Sequence, residues 1–125
     1  MKTRDQFQVF QTALQRLMEA LELPPNPIHR DSAILRFELV FETAWKLCQT
    51  LAREQGFEAN SPKAAFQAGF KAGWITEEVL WNEILLWRNQ AIHVYQEALA
   101  ERLYQQLPQF AAAFRQLERS VEGLV

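Results

Sequence analysis

An arginine, a histidine and a tyrosine gather in Arg88-Asn89-Gln90-Ala91-Ile92-His93-Val94-Tyr95, directly after a strongly apolar run. No other stretch of the chain brings together these tools of phosphate chemistry. A guanidinium grips two phosphate oxygens through its planar fork, an imidazole exchanges a proton near neutrality, and a tyrosine offers a hydroxyl to solvent from an apolar ring. The spacing constrains how they could meet. Five helical residues separate Arg88 and His93 by about 140° around the axis, so an ideal helix would not place them on one face. His93 is therefore expected where a helix frays or ends, or within reach of the bending arginine stem. Asn89 and His93, at i and i+4, would share a helical face. From the residue types alone a purely structural role is the simpler reading: Arg88 and His93 offset the negative end of a helix dipole, and Tyr95 packs with its hydroxyl wet.

The elements that must present this octet can be read from apolar periodicity. Immediately before it, Val79, Leu80, Trp81, Ile84, Leu85, Leu86 and Trp87 predict a helix held firmly in a core. Thr76-Glu77-Glu78 should open that helix, with Thr76 as its cap and two acids on the positive end of the dipole. A first helix is predicted from about Thr3 to Leu23, with Phe7, Phe10, Leu14, Leu17, Met18 and Leu21 on one stripe. Pro24-Pro25-Asn26-Pro27 ends it, because three prolines in four residues cannot continue a hydrogen-bonded helix. The second helix should start near His29 to Asp31, capped by Asp31 or Ser32, and run to Gly56. Its inner stripe is Ile34, Phe37, Phe41, Ala44, Cys48 and Leu51.

The polar side of that second helix admits two readings. Glu38, Glu42 and Lys46 stand at i, i+4 and i+8, either as a solvated face with one weak ion pair or with a carboxylate turned inward to hold a basic group such as Arg88. Ser61-Pro62 predicts the start of a short third helix, rich in small residues that imply close helix approach and ending at Gly73. A last helix opens with Glu97 and Glu101 and carries Leu99, Leu103, Leu107, Phe110, Phe114, Leu117 and Val121, with Pro108 expected to kink or split it. The fold class is all-α, an antiparallel up-and-down helical bundle of four to five helices forming one domain over residues 1–125.

Composition limits the functions such a bundle could serve. Hydrophobic residues make up 49% of the chain, enough for a real core. A net charge of −2 provides no global attraction to nucleic acid or anionic lipid, so a polyanion would need a local basic patch. The single cysteine, Cys48, cannot form an internal disulfide and reads as a small core residue. With His29 and His93 as the only imidazoles, and His29 placed at a helix start, no metal or other cofactor is expected. No signal peptide and no membrane span is predicted, and a cytoplasmic location is expected. No Walker loop, GxGxxG or nucleophile elbow is present. Trp74, Trp81 and Trp87 could stack on bases, but their helical spacing fits core or subunit interface.

The run Arg30-Asp31-Ser32-Ala33-Ile34-Leu35-Arg36-Phe37-Glu38, then Phe41-Glu42, Trp45-Lys46, Ser61-Pro62-Lys63, and finally Arg88-Asn89 with His93 and Tyr95, resembles the HEPN superfamily. The resemblance is nearest to its nucleotidyltransferase substrate-binding branch, which includes the HepT toxins, and it spans residues 28 to 107. It implies a helical bundle that forms a homodimer or a higher oligomer and is paired with a small MNT-type nucleotidyltransferase. The family pattern of arginine, four residues, histidine, one residue, tyrosine falls on Arg88, His93 and Tyr95. By that resemblance Arg88 and His93 are the catalytic residues of a metal-independent ribonuclease, and Tyr95 is the site at which the partner enzyme attaches AMP to silence it. Family members often have threonine near the histidine where this chain has Ala91 and Val94.

In physical terms, His93 would take the proton from a ribose 2′-hydroxyl, and Arg88 would steady the phosphate oxygens. Asn89 and Glu42 would have supporting roles, Asn89 orienting His93 or the phosphate and Glu42 holding Arg88. DNA lacks the attacking hydroxyl and should not be cut. The alternative implied by the branch label is a non-catalytic adaptor, in which the same residues bind a nucleotide phosphate or brace the nucleotidyltransferase interface.

Overall fold

The computed structural model describes residues 2–125. Five α-helices follow one another: α1 (Thr3–Glu22), α2 (Pro27–Glu54), α3 (Pro62–Lys71), α4 (Glu78–Gln90) and α5 (Glu97–Val121). Short 3₁₀ turns occupy Ala91–His93 and Glu122–Leu124, and no strand is present among the described residues. None of these helices is long and apolar enough to cross a membrane.

The long helices α1, α2 and α5 pack mutually, α3 lies on α2, and α4 leans on α3 and α5. Burial follows the predicted stripes. Phe10, Leu14 and Leu17 of α1 meet Phe37, Ala44 and Leu47 of α2 and Leu103, Leu107, Phe110, Phe114 and Leu117 of α5 in one core. Aromatic rings run through it from end to end. Phe10 meets Phe114 edge-on at 6.5 Å, Phe114 meets Trp81 at 5.3 Å, Trp81 meets Phe66 at 4.7 Å, and Phe66 meets Phe41 at 5.5 Å. Trp74 and Trp81 are thus core residues, while Trp87 is half-buried with the Arg102 guanidinium 5.6 Å from its ring.

Helix ends are set by local chemistry, in places one turn away from the expected residue. α2 begins at Pro27, not at His29 to Asp31, and its cap is Asn26, whose side chain accepts a hydrogen bond from the His29 backbone N–H at 2.7 Å. Proline at the first helical position has no N–H to leave unpaired, so the helix starts as soon as the proline run permits. Neither Asp31 nor Ser32 serves as the cap. At the other end Gln55 closes the helix, and Gly56 adopts φ +89°, the left-handed conformation a C′ residue needs.

Ser61 caps α3 as expected, accepting from the Ala64 N–H at 3.1 Å. Thr76 does not cap α4. That helix starts a residue later, from Glu77, with no side-chain cap bond. Pro108 does not split α5, which runs unbroken from Glu97 to Val121. Its pyrrolidine is exposed, and the buried residues on either side keep the helix seated. The small residues of α3 have their close approach within the chain. A Cβ at Gly69 would stand 3.1 Å from the Ile75 Cδ1, and the Gly69 carbonyl accepts from the N–H of both Trp74 and Ile75.

Candidate functional site

α4 ends at Gln90, two residues after Arg88, and the chain then tightens into the 3₁₀ turn Ala91–His93 before Glu97 opens α5. His93 is therefore beyond the α-helix, which removes the helical-face relation expected between it and Asn89. Ala91 is buried and anchors the turn, while Ile92 and Tyr95 point to solvent. The backbone closes on itself through the Val94 N–H to the Ala91 carbonyl and the Gln96 N–H to the His93 carbonyl at 3.0 Å. The His93 and Tyr95 rings meet edge to face, their centroids 6.2 Å apart. Tyr95 is 76% exposed. Asn89 is exposed and His93 half-buried.

Arg88 leans from α4 onto α2. Its Nη1 lies 3.9 Å from Glu38 Oε1, its Nη2 lies 3.7 Å from Glu42 Oε1, and its Cζ stands 5.7 Å from the Phe41 ring centroid. Both carboxylates thus face the guanidinium. Glu42 also accepts from Trp45 Nε1 at 3.2 Å and lies 3.8 Å from Lys46, so its solvated ion pair coexists with the inward contact. These separations from Arg88 exceed hydrogen-bond length. The charge is balanced, but the N–H groups are left without close acceptors. Arg88 Nε is buried with no hydrogen-bond partner, in a side chain 28% exposed.

Arg30 is the reverse case, and sequence reasoning assigned it no role of its own. Its side chain is 3% exposed, and its donors are paired at hydrogen-bond length. Nε donates to Asp31 at 3.0 Å, Nη1 to Glu97 at 2.8 Å and to Glu101 at 2.9 Å, and Nη2 to Glu97 at 3.1 Å. The hydrogen bonds that Arg30 donates to Glu97 and Glu101 raise its pKa above the ordinary arginine value, and the guanidinium in turn lowers that of the Glu97 carboxyl. This fork fastens the start of α2 to the first two turns of α5, which opens two residues beyond Tyr95. The acids that were expected to open α5 serve a tertiary contact as well. The available signal was a pair of glutamates at i, i+4 with no basic residue three or four positions away on their own helix, and a distant arginine at a helix start.

The bundle presents Arg88 from the last turn of α4 and His93 from the 3₁₀ turn that follows it, and comparison with known proteins shows the family. The family model described as nucleotidyltransferase substrate binding protein-like matches residues 5–123, and the chain belongs to that family. Among solved structures, the crystal structure of a protein from Thermus thermophilus is similar. It is 35% identical, with a TM-score of 0.81, over 86% of this chain and 94% of that one. No curated protein matches the chain.

Proposed function

We propose that this protein is the HepT-like component of a HEPN/MNT pair, an endoribonuclease held silent by AMP placed on Tyr95 by a nucleotidyltransferase partner. The observation that carries this reading is the contrast between the two arginines. Arg30 has its donors paired, whereas Arg88 is positioned by Glu38, Glu42 and Phe41 while its N–H groups still lack close acceptors. A guanidinium held in that way can take up the non-bridging oxygens of a phosphodiester without first breaking strong hydrogen bonds.

In the proposed reaction His93 takes the proton from a ribose 2′-hydroxyl, and the 2′-oxygen forms a bond to the adjacent phosphorus. The bond from phosphorus to the 5′-oxygen breaks, leaving a cyclic phosphate on one fragment, and the departing oxygen gains a proton. One imidazole per protomer serves one of these transfers well. A two-fold homodimer supplies the second, by setting identical segments face to face. Leu35, Leu86 and Ile92 are exposed apolar side chains close in sequence to Glu38, Arg88 and His93, and they fit such an interface. Asn89 steadies the phosphate or His93. The exposure of Tyr95 suits modification by a partner enzyme, and an attached nucleotide phosphate would obstruct RNA at this segment and offset the charge of Arg88.

A second reading is favoured by the same ion pairs. Two carboxylates close to Arg88 oppose an incoming anion, as they would if the segment braced a nucleotidyltransferase as an adaptor. Purified protein incubated with RNA in EDTA decides between the two, alongside His93→Ala and Arg88→Ala. Cutting by the wild type that falls by about 100-fold or more in both variants, the order expected on losing an acid-base group or a group that stabilises transition-state charge, supports the ribonuclease. Intact RNA in all three supports the adaptor.

A further inference from the structure

Between α3 and α4, away from the Arg88 to Tyr95 segment, lies a cavity of about 380 Å³, within the roughly 300–1,000 Å³ typical of small-molecule sites. Its floor is aromatic. Phe66 and Trp81 are buried there with ring centroids 4.7 Å apart, and Phe70, 39% exposed, stands at the mouth. The polar groups around it are Gln67, Asn82, Lys63 and Lys71. Among the described residues none of these four side chains makes a hydrogen bond or an ion pair within the chain, and all four are exposed. Glu78 is the one acid in the lining, so the mouth carries a net positive charge.

We propose that this cavity binds a purine mononucleotide. A flat base would stack on the accessible Phe70 ring, with buried Phe66 and Trp81 closing the floor beneath it, and such stacking is favourable for any base. The amides of Gln67 and Asn82 each present a donor and an acceptor, the pairing that reads the edge of adenine. Lys63 and Lys71 are eight residues apart on α3, about 12 Å along the axis, so their ammonium groups bracket the cavity. Lys63 stands further along the chain than Lys71 from Glu78, the one acid in the lining, and is the place for the phosphate. The site shares no residue with the proposed ribonuclease segment and stands independently of that function.

Isothermal titration of the full chain with AMP, adenosine and inorganic phosphate tests this. Saturable AMP binding is expected, with adenosine about tenfold weaker and phosphate alone not bound. Phe70→Ala should weaken both AMP and adenosine roughly tenfold, the scale of one lost base stack. Lys63→Gln, at an exposed position that leaves the fold unchanged, should weaken AMP and spare adenosine. Absence of saturable binding overturns the proposal. So does AMP binding that survives Phe70→Ala and Lys63→Gln but is lost in Arg88→Ala, which would place the nucleotide at the other end of α4.

Discussion

At the scale of single residues, two arginines with the same intrinsic chemistry are put to different uses by their acceptors. Arg30 is buried under carboxylates that are themselves exposed, so replacing it lets those acids hydrate rather than stranding them. Arg30→Met is therefore expected to cost about 1–2 kcal/mol, less than a deeply buried pair would, and Arg30→Lys should recover part of it. Thermal or urea unfolding measures both. The Arg30 guanidinium holds the Glu97 carboxyl below the usual carboxylate range. Its contribution is complete above the unfolded value of about 4.3 and is lost as pH falls through the lower folded value. Acid titration of stability should show a loss below about pH 4 that Glu97→Gln removes. Cys48 offers a third test. Burial pushes its thiol up to about 12, so it stays protonated and inaccessible. A thiol reagent at about pH 8 should leave the native protein unmodified and label one thiol after denaturation; rapid labelling of the folded chain would contradict the packing.

At the scale of elements, helix boundaries here follow capping chemistry wherever it is strong and shift where it is weak. Ser61-Pro62 and Asn26-Pro27 each join a capping side chain to a proline at the first helical position, and both helices begin there. Thr76 has no such proline after it, and α4 begins from Glu77 instead. Within α5, Pro108 removes one N–H from the helical ladder and crowds the Tyr104 carbonyl, yet the helix continues because Leu103, Leu107, Phe110 and Phe114 bind it to the core. Pro108→Ala restores the missing bond at an exposed position. After allowing for the greater freedom of the unfolded chain, it should stabilise the protein by about 1–2 kcal/mol. A fall in the melting temperature would mean that α5 needs the distortion.

For the molecule as a whole, the proposed chemistry depends on an assembly with the Arg88 to Tyr95 segments of two protomers facing each other. A stable two-fold interface buries about 800 Å² per partner, and Leu86 and Ile92, exposed next to and within that segment, together with Leu35 one turn from Glu38 on α2, offer apolar surface for it. Sedimentation of the wild-type chain at micromolar concentration should show a dimer. Leu86→Glu together with Ile92→Glu should convert it to a folded monomer with weakened RNA cleavage, since each protomer would then have one imidazole. A wild-type monomer would remove the second proton carrier from the mechanism.

How far the sequence reached follows from the range of the forces involved. Apolar stripes at three- and four-residue spacing, proline and glycine at helix ends, and an arginine-histidine-tyrosine motif are local features, and they were sufficient for the helices, the core and the family. The aromatic residues Phe37, Phe41, Trp81, Phe110 and Phe114 were legible as core for the same reason. Tertiary packing alone decided which charges meet. Arg30 finds Glu97 and Glu101 across 67 and 71 residues of chain, and Glu38 and Glu42 turn toward Arg88 because α4 ends beside α2. The cavity between α3 and α4 was likewise invisible in the sequence, since the gap between two packed helices depends on how every side chain around it fits.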